Sequence, residues 1–249
     1  MTDFTDDELL RYSRQILLPQ LDVAGQQRLR DSSVLVVGAG GLGCPVGLYL
    51  AAAGVGRCTV VDGDKIELSN LQRQVAHHSD DIGQYKAQSL ARRMRAINPL
   101  ISVTAVIEWL NDDNSEDVIA AHDIIVDCCD NFATRFLINR GAVKHKKTVV
   151  SGAAIRGEGQ LAVFRNDGIA PCYACVYPEQ NEESETCAHA GVLAPVVGVI
   201  GCLQAVEAIK VLTQSGDSES VLTLYDAWRG EFRRLKIKRD KACPVCASI

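Results

Sequence analysis

The stretch Val34-Leu35-Val36-Val37-Gly38-Ala39-Gly40-Gly41-Leu42-Gly43 decides how this chain folds. Four apolar residues, three of them β-branched, read as a short buried strand. The glycines behind them read as a tight turn opening a helix, with Pro45 in its first turn and Gly54 past its end. The spacing Gly38-x-Gly40-x-x-Gly43, with Gly41 inside it, brings bare backbone amides and a helix N-terminus up to phosphate oxygens. A second strand, residues 58–61, closes a βαβ unit at Asp62, whose carboxylate is set to accept hydrogen bonds from ribose hydroxyls; Asp64 follows at the same strand end. Alone, this pattern fits NAD or FAD as well as ATP, so an NAD-dependent oxidoreductase stays open.

Upstream, Thr5-Asp6-Asp7-Glu8 is a capping box that predicts a helix through Arg14. Its apolar residues Leu9, Leu10, Ile16 and Leu17 are expected to face inward, leaving Arg11 and Arg14 for solvent or a partner. Downstream, a helix over residues 86–97 ends at Asn98-Pro99, with Arg92, Arg93 and Arg95 toward its negative end. Strands follow at 102–107 and 124–127, with a short helix at 115–121 between them. This alternation predicts a Rossmann-like, doubly wound α/β sheet whose N-terminal half is parallel. After a helix ending near Lys144, strands at 148–153, 160–164, 221–225 and 232–237 are expected to extend that sheet in antiparallel fashion. Residues 177–189, acidic and nearly free of aliphatics, read as a surface crossover loop. The expected organisation is a single domain over 1–249, comprising a helical arm (1–30), a nucleotide-binding part (31–147) and a C-terminal part (148–249).

Composition fits one large α/β domain, since 249 residues at 47% hydrophobic content can bury a substantial core. A net charge of -5 offers no general attraction for nucleic acid or an anionic membrane, and neither is expected as a partner. The longest apolar stretch, 191–203, carries Pro195, Gly198 and Gly201 and reads as a buried helix, not a membrane span. With no basic-then-apolar leader at the start, reduced thiols in a cytoplasm are expected.

Four of the ten cysteines form two Cys-x-x-Cys pairs, Cys172/Cys175 and Cys243/Cys246. Two such pairs complete a tetrahedral thiolate set that suits structural Zn²⁺ with no ligand position left open. The ion would close the long loop 176–242 and so stabilise the C-terminal part. A redox dithiol is the weaker alternative, because no thioredoxin-like pattern surrounds either pair. Cys44, Cys58, Cys128, Cys129 and Cys202 lie in apolar runs and read as small core residues.

Beyond the glycine turn, three clusters fall at strand ends or helix starts: Asn70-Leu71-Gln72-Arg73-Gln74, Lys86, and Asp127-Cys128-Cys129-Asp130-Asn131. That edge is where doubly wound sheets bind ligands. Two cations and a carboxylate there match phosphoryl or nucleotidyl transfer, in which Arg and Lys offset polyphosphate charge and an Asp holds Mg²⁺. Hydride transfer has no need of them. The plainer alternatives are a solvated Arg73, an ordinary helix-start Lys86, and Asp130 as a helix N-cap.

Taken together, Gly-x-Gly-Gly-Leu-Gly, Ser-Asn-Leu-Gln-Arg-Gln, Asp-Cys-x-Asp-Asn, the Cys-x-x-Cys pairs and Thr-Cys-x-x-Ala-Gly-Val resemble the adenylating enzymes related to ubiquitin activators. The resemblance runs from Arg11 to Cys246. It implies that Mg²⁺-bound ATP adenylates the C-terminal glycine of a small ubiquitin-like sulfur-carrier protein ending in Gly-Gly, before a thiocarboxylate forms. By the same resemblance, Gly41 and the glycine turn approach ATP, Asp62 takes the ribose, and Ser69 to Arg73 with Lys86 line the phosphates. Asp130 resembles the magnesium carboxylate, and Asn131 beside it is counted with the nucleotide-binding residues. Arg14 resembles the arginine that family homodimers lend to the neighbouring subunit's site. Cys187 matches a loop cysteine that in some relatives links to the carrier or accepts sulfur, although its neighbouring glutamates offer little to lower a thiol pKa.

A carboxylate is already nucleophilic at neutral pH, so no general base and no Ser-His-Asp set are expected. The five histidines show no catalytic spacing, and most are expected at the surface. Ser151-Gly152-Ala153-Ala154-Ile155-Arg156 with Glu158-Gly159-Gln160 resembles the branch serving molybdopterin synthase, with the thiamine-pathway carrier as the alternative. In the former, sulfur is expected from a separate persulfide-carrying sulfurtransferase.

Overall fold

The computed structural model describes residues 4–177, 190–216 and 219–247. At its centre is β1 (Ser33–Val37), which pairs in parallel with β2 (Arg57–Val61) on one side and β4 (Ile124–Asp127) on the other. With β3 (Ser102–Val106) outside β2, the chain winds outward from β1 and then crosses to β4, so its direction of winding reverses there. Parallel pairing continues to β5 (Thr148–Ile155). From there β6 (Glu158–Phe164), β7 (Val221–Asp226) and β8 (Glu231–Lys236) run antiparallel, giving one eight-stranded sheet in the order β3-β2-β1-β4-β5-β6-β7-β8. The expected parallel half with an antiparallel extension is present.

Side chains of a strand alternate between faces, and β1 supplies both cores. Val34 and Val36 join the core formed with α3 (Gly43–Ala53) and α4 (Lys86–Ile97), whereas Leu35 and Val37 join the core under α5 (Ser115–Ala120) and α6 (Phe132–Lys144). The short α7 (Tyr173–Val176) packs on α6. Residues 191–203 belong in part to α8 (Ala194–Thr213), a helix long and apolar enough to cross a membrane by length and composition. Here it lies on the sheet instead. Val196, Ile200 and Ala208 enter the first core, and buried Gln204 donates to the carbonyls of Asp127 (2.7 Å) and Val150 (3.2 Å).

The N-terminal arm departs from expectation. Its capping box forms, with Thr5 Oγ1 accepting the Glu8 amide and Glu8 Oε2 accepting the Thr5 amide, but α1 runs Asp6–Ile16. Leu9, Leu10 and Leu17 do not face inward: Leu10 is 75% and Leu17 71% exposed, while Ile16 is half-buried and Tyr12 alone is buried. The helix is anchored through Tyr12, whose hydroxyl accepts from buried Asn98 (2.8 Å), so its apolar stripe is left facing out. A separate α2 (Asp22–Asp31), unmarked by any sequence periodicity, covers the chain between α1 and β1.

Candidate active site

A cavity of about 280 Å³ opens beyond the C-terminal ends of β1 and β4, where the winding reverses. One wall is the glycine turn. Gly38 has φ +96°, and a Cβ there would lie 2.7 Å from the Cys128 carbonyl oxygen; at Gly43 a Cβ would lie 1.9 Å from the oxygen of Gly38. Both positions exclude any side chain. The intervening Ala39 peptide is pinned on both sides, its N–H donating to Asp62 Oδ2 (2.7 Å) and its carbonyl accepting from His77 Nε2 (2.9 Å). Burial pushes the Asp62 carboxyl up, against the amides of Ala39 and Asp64 and the charge of Lys86.

His77 corrects the expectation that the histidines are mostly surface residues. It is 5% exposed, and burial lowers its pKa, so its neutral ring donates from Nε2 and faces the Ser89 hydroxyl with Nδ1 (3.0 Å). Ser89 also reaches Asp81 Oδ2 (3.1 Å), and Asp81 is bound by Arg92 and Arg93 (3.1 Å to the latter). These two arginines therefore serve a buried carboxylate, not the helix end. Burial alone would raise the Asp81 pKa. The His78 amide, Ser89 and Arg93, with the charge of Arg92, outweigh it and hold it at about 2. Its contribution to stability is thus full above about pH 4, the unfolded value, and is lost as pH falls toward the folded one. In urea titrations across that range, Asp81→Asn is expected to flatten the acid limb; a limb as steep as wild type's would refute the role.

The segment between β2 and α4 presents the cations. Arg73 borders the cavity, with Nη1 braced on the Ser69 carbonyl (3.1 Å) and the rest of its guanidinium without a hydrogen-bond partner among the described residues. Buried Lys86 pairs with Asp64 Oδ2 (2.8 Å), whose side chain is half-exposed. Gln74, which follows Arg73 in the cluster read from the sequence, also lines this wall. Ser69, Asn70, Leu71 and Gln72 are not among the lining residues. They build the turn beneath Arg73, where Asn70 Oδ1 accepts the Glu67 amide (3.1 Å).

At the end of β4, Asn131 caps α6 by accepting the Thr134 amide (2.8 Å). Asp130 is therefore not the cap. It is an exposed carboxylate on the cavity wall, with no hydrogen bond or ion pair among the described residues. Asp127 is a different group altogether, buried and accepting from Ser151 Oγ (2.7 Å), with Arg135 3.8 Å away. Gly38, Gly40, Gly41, Asp62, Asp64, Arg73, Lys86, Asp130 and Asn131 are thus brought together around one cavity. Gly43 stands behind the turn, Arg14 is exposed on α1 away from the cavity, and Cys187 lies outside the described residues.

The far wall holds residues that the sequence reading missed, among them Trp109, Phe132, Arg135, Gln160, Tyr173 and Tyr177. They come from four separated segments; Arg135, one turn after Asn131 on α6, and Gln160, within Glu158-Gly159-Gln160, lay in or beside a stretch the sequence had marked. Cys128 and Cys129 also reach the cavity, but burial pushes both thiols well up, so neither is a ready thiolate.

Behind this wall the four paired cysteines meet. Their sulfurs lie within 4.8 Å of one another, with separations of 3.9 Å (Cys172 to Cys175), 3.7 Å (Cys172 to Cys243) and 3.5 Å (Cys175 to Cys246). A tetrahedron with metal–sulfur bonds of about 2.3 Å has edges of about 3.8 Å, whereas a disulfide needs about 2 Å. The cluster fits a four-thiolate metal ion. Asn139 ties it to the cavity wall, donating toward Cys172 Sγ (3.7 Å) and accepting the Tyr173 amide (3.0 Å).

A model of the ThiF family matches residues 12–245. The molybdopterin-synthase adenylyltransferase of Escherichia coli strain K12 is 47% identical over 247 residues, covering 99% of each chain. The sulfur carrier protein adenylyltransferase of Thermus thermophilus is 44% identical, covering 98% of this chain and 92% of that one. Among solved structures, Escherichia coli MccB with MccA-N7isoASN shares the fold, with a TM-score of 0.83 at 22% identity over 98% of this chain and 75% of that one.

Proposed function

Since the chain belongs to the ThiF family, we propose that it adenylates the C-terminal glycine of a ubiquitin-like sulfur carrier, with molybdopterin synthase's small subunit as the carrier. The observation that carries this reading is the meeting of Arg73, Lys86 and Asp130 with the glycine turn around one cavity. The names of the relatives support it.

A carrier carboxylate oxygen attacks the α-phosphorus of ATP, the new O–P bond forms, and the bond to the β-phosphate oxygen breaks to release pyrophosphate. Arg73 and Lys86 offset the charge that gathers on the leaving group, while the turn at Gly38 to Gly41 holds the nucleotide through backbone amides. Asp62 takes the ribose, and Asp64 keeps Lys86 extended until phosphate displaces it. The Asp130 carboxylate, a hard oxygen donor without a competing partner among the described residues, suits Mg²⁺, which when bound neutralises phosphate charge.

Zinc is the ion proposed for Cys172, Cys175, Cys243 and Cys246, with a structural role, in a reducing cytoplasm that keeps the thiolates free. Residues 1–249 act as one adenylating unit. It works as a homodimer, in which the outward Leu10 and Leu17 are covered and Arg14 is lent to the partner's site. Sulfur then comes from a separate persulfide-bearing protein. The test is incubation with Mg²⁺ and ATP and each candidate carrier in turn. The molybdopterin-branch carrier is expected to gain the mass of AMP. A gain on the thiamine-pathway carrier alone would move the assignment to that branch, and nicotinamide binding without any adenylate would overturn it.

A further inference from the structure

Four buried side-chain polar atoms among the described residues have no hydrogen-bond partner, and three of them belong to residues lining the cavity: Gln74 Oε1, Arg135 Nε and Tyr173 OH. Burying such groups unpaired is costly, so their gathering at one cavity points to a ligand that completes them. Gln74 flanks the glycine turn, its amide 3.5 Å from where a Gly40 Cβ would stand, and so belongs to the nucleotide's side. Arg135 and Tyr173 belong to the opposite side.

Both are firmly held. Arg135 projects from α6 with Nη2 donating to the carbonyls of Cys129 (2.7 Å) and Gly152 (3.0 Å), while its Nε stands 3.8 Å from Asp127 Oδ2, beyond hydrogen-bonding reach, and has no hydrogen-bond partner among the described residues. Tyr173 is 4% exposed; its ring packs edge-on against Phe136 and Phe164 and stacks on Tyr177. Its backbone is fixed by Asn139 and by its neighbour Cys172 in the cysteine cluster. A phenol is protonated at neutral pH, so this hydroxyl can donate.

Two fixed donors ask for an oxygen acceptor. Asp127, 3.8 Å from Arg135, already balances the guanidinium charge, so the site does not call for an anion. Tyr177, bonded to Gln160, and the small residues Gly152 and Ala153 of β5 narrow the space beside it. We infer that Arg135 Nε–H and Tyr173 OH bind a main-chain carbonyl of the carrier's tail, fixing the last peptide unit so that the terminal carboxylate reaches the α-phosphorus. This rests on the adenylation reading above and names the residues that hold its second substrate.

Tyr173→Phe keeps the ring and removes only the hydroxyl. In steady-state pyrophosphate exchange with a Gly-Gly-terminated carrier, it is expected to raise the carrier KM about tenfold, as for one buried hydrogen bond, while the KM for ATP holds. Arg135→Lys is expected to do the same. Should either variant unfold, wild-type enzyme with a carrier bearing a thioamide at its penultimate residue supplies the weaker acceptor and is expected to show the same rise. An unchanged carrier KM, or a matched rise for ATP, would overturn the inference. Wild-type enzyme that supports no carrier-dependent exchange would instead sink the adenylation reading on which it rests.

Discussion

Asp130→Ala and Arg73→Ala each bring carrier-dependent ATP–pyrophosphate exchange down to background. The expected loss is at least about a thousandfold for Asp130 and about a hundredfold or more for Arg73, on the scale of about 10²–10³ for one preorganised charge-stabilising group in a dry site. Asp130 ranks first because it supports nothing else among the described residues. Asn131 caps α6 in its place, so removing the carboxylate leaves the fold's hydrogen bonds intact. Arg73 is tethered to the fold by the Ser69 carbonyl, and its truncation is likewise expected to leave the melting temperature near wild type's. Asp130→Asn separates charge from shape, since it keeps the volume and loses the ionic ligand. Exchange at the wild-type rate in Asp130→Ala or Arg73→Ala would remove the active-site assignment.

The same contrast between local and distant information explains what the sequence disclosed. The strand, turn and helix at Val34 to Gly43 are set by neighbours a few residues apart, and the glycines turned out to be sterically required at Gly38 and Gly43. The parallel half, the antiparallel extension and the Thr5–Glu8 capping box followed from equally local rules. What stayed hidden depends on tertiary neighbours. Periodicity revealed that α1 has an apolar stripe but not what covers it, so Leu10 and Leu17 were misplaced. Histidine's usual exposure concealed His77, because the site that buries it is made by Ala39 and Ser89 from other elements. The far wall of the cavity is the extreme case: Arg135, Gln160 and Tyr173 come together only once α6, β6 and the cysteine cluster have packed.

That packing sets the second large effect, the expected outcome of Cys172→Ala: loss of one equivalent of bound metal and of about 4 kcal/mol or more of stability, the range reached when a metal site is removed. For a chain of this size that corresponds to a fall in melting temperature on the order of 10 °C. Cys172 is buried with sulfur neighbours on both sequence arms of the cluster, so its removal leaves Cys175, Cys243 and Cys246 without a closed tetrahedron. The loop they close spans residues 176–242, including α8 and β7, and its release raises the entropy of the unfolded chain. Damage should also reach the cavity, because Asn139 loses the sulfur it donates to while still holding the Tyr173 amide. The carrier KM is therefore expected to rise in the metal-depleted enzyme before ATP binding weakens, since the glycine turn and Asp62 lie on the other wall. Metal content by atomic absorption and a thermal melt decide the matter. Full metal retention with an unshifted melt in Cys172→Ala would contradict the structural four-thiolate site.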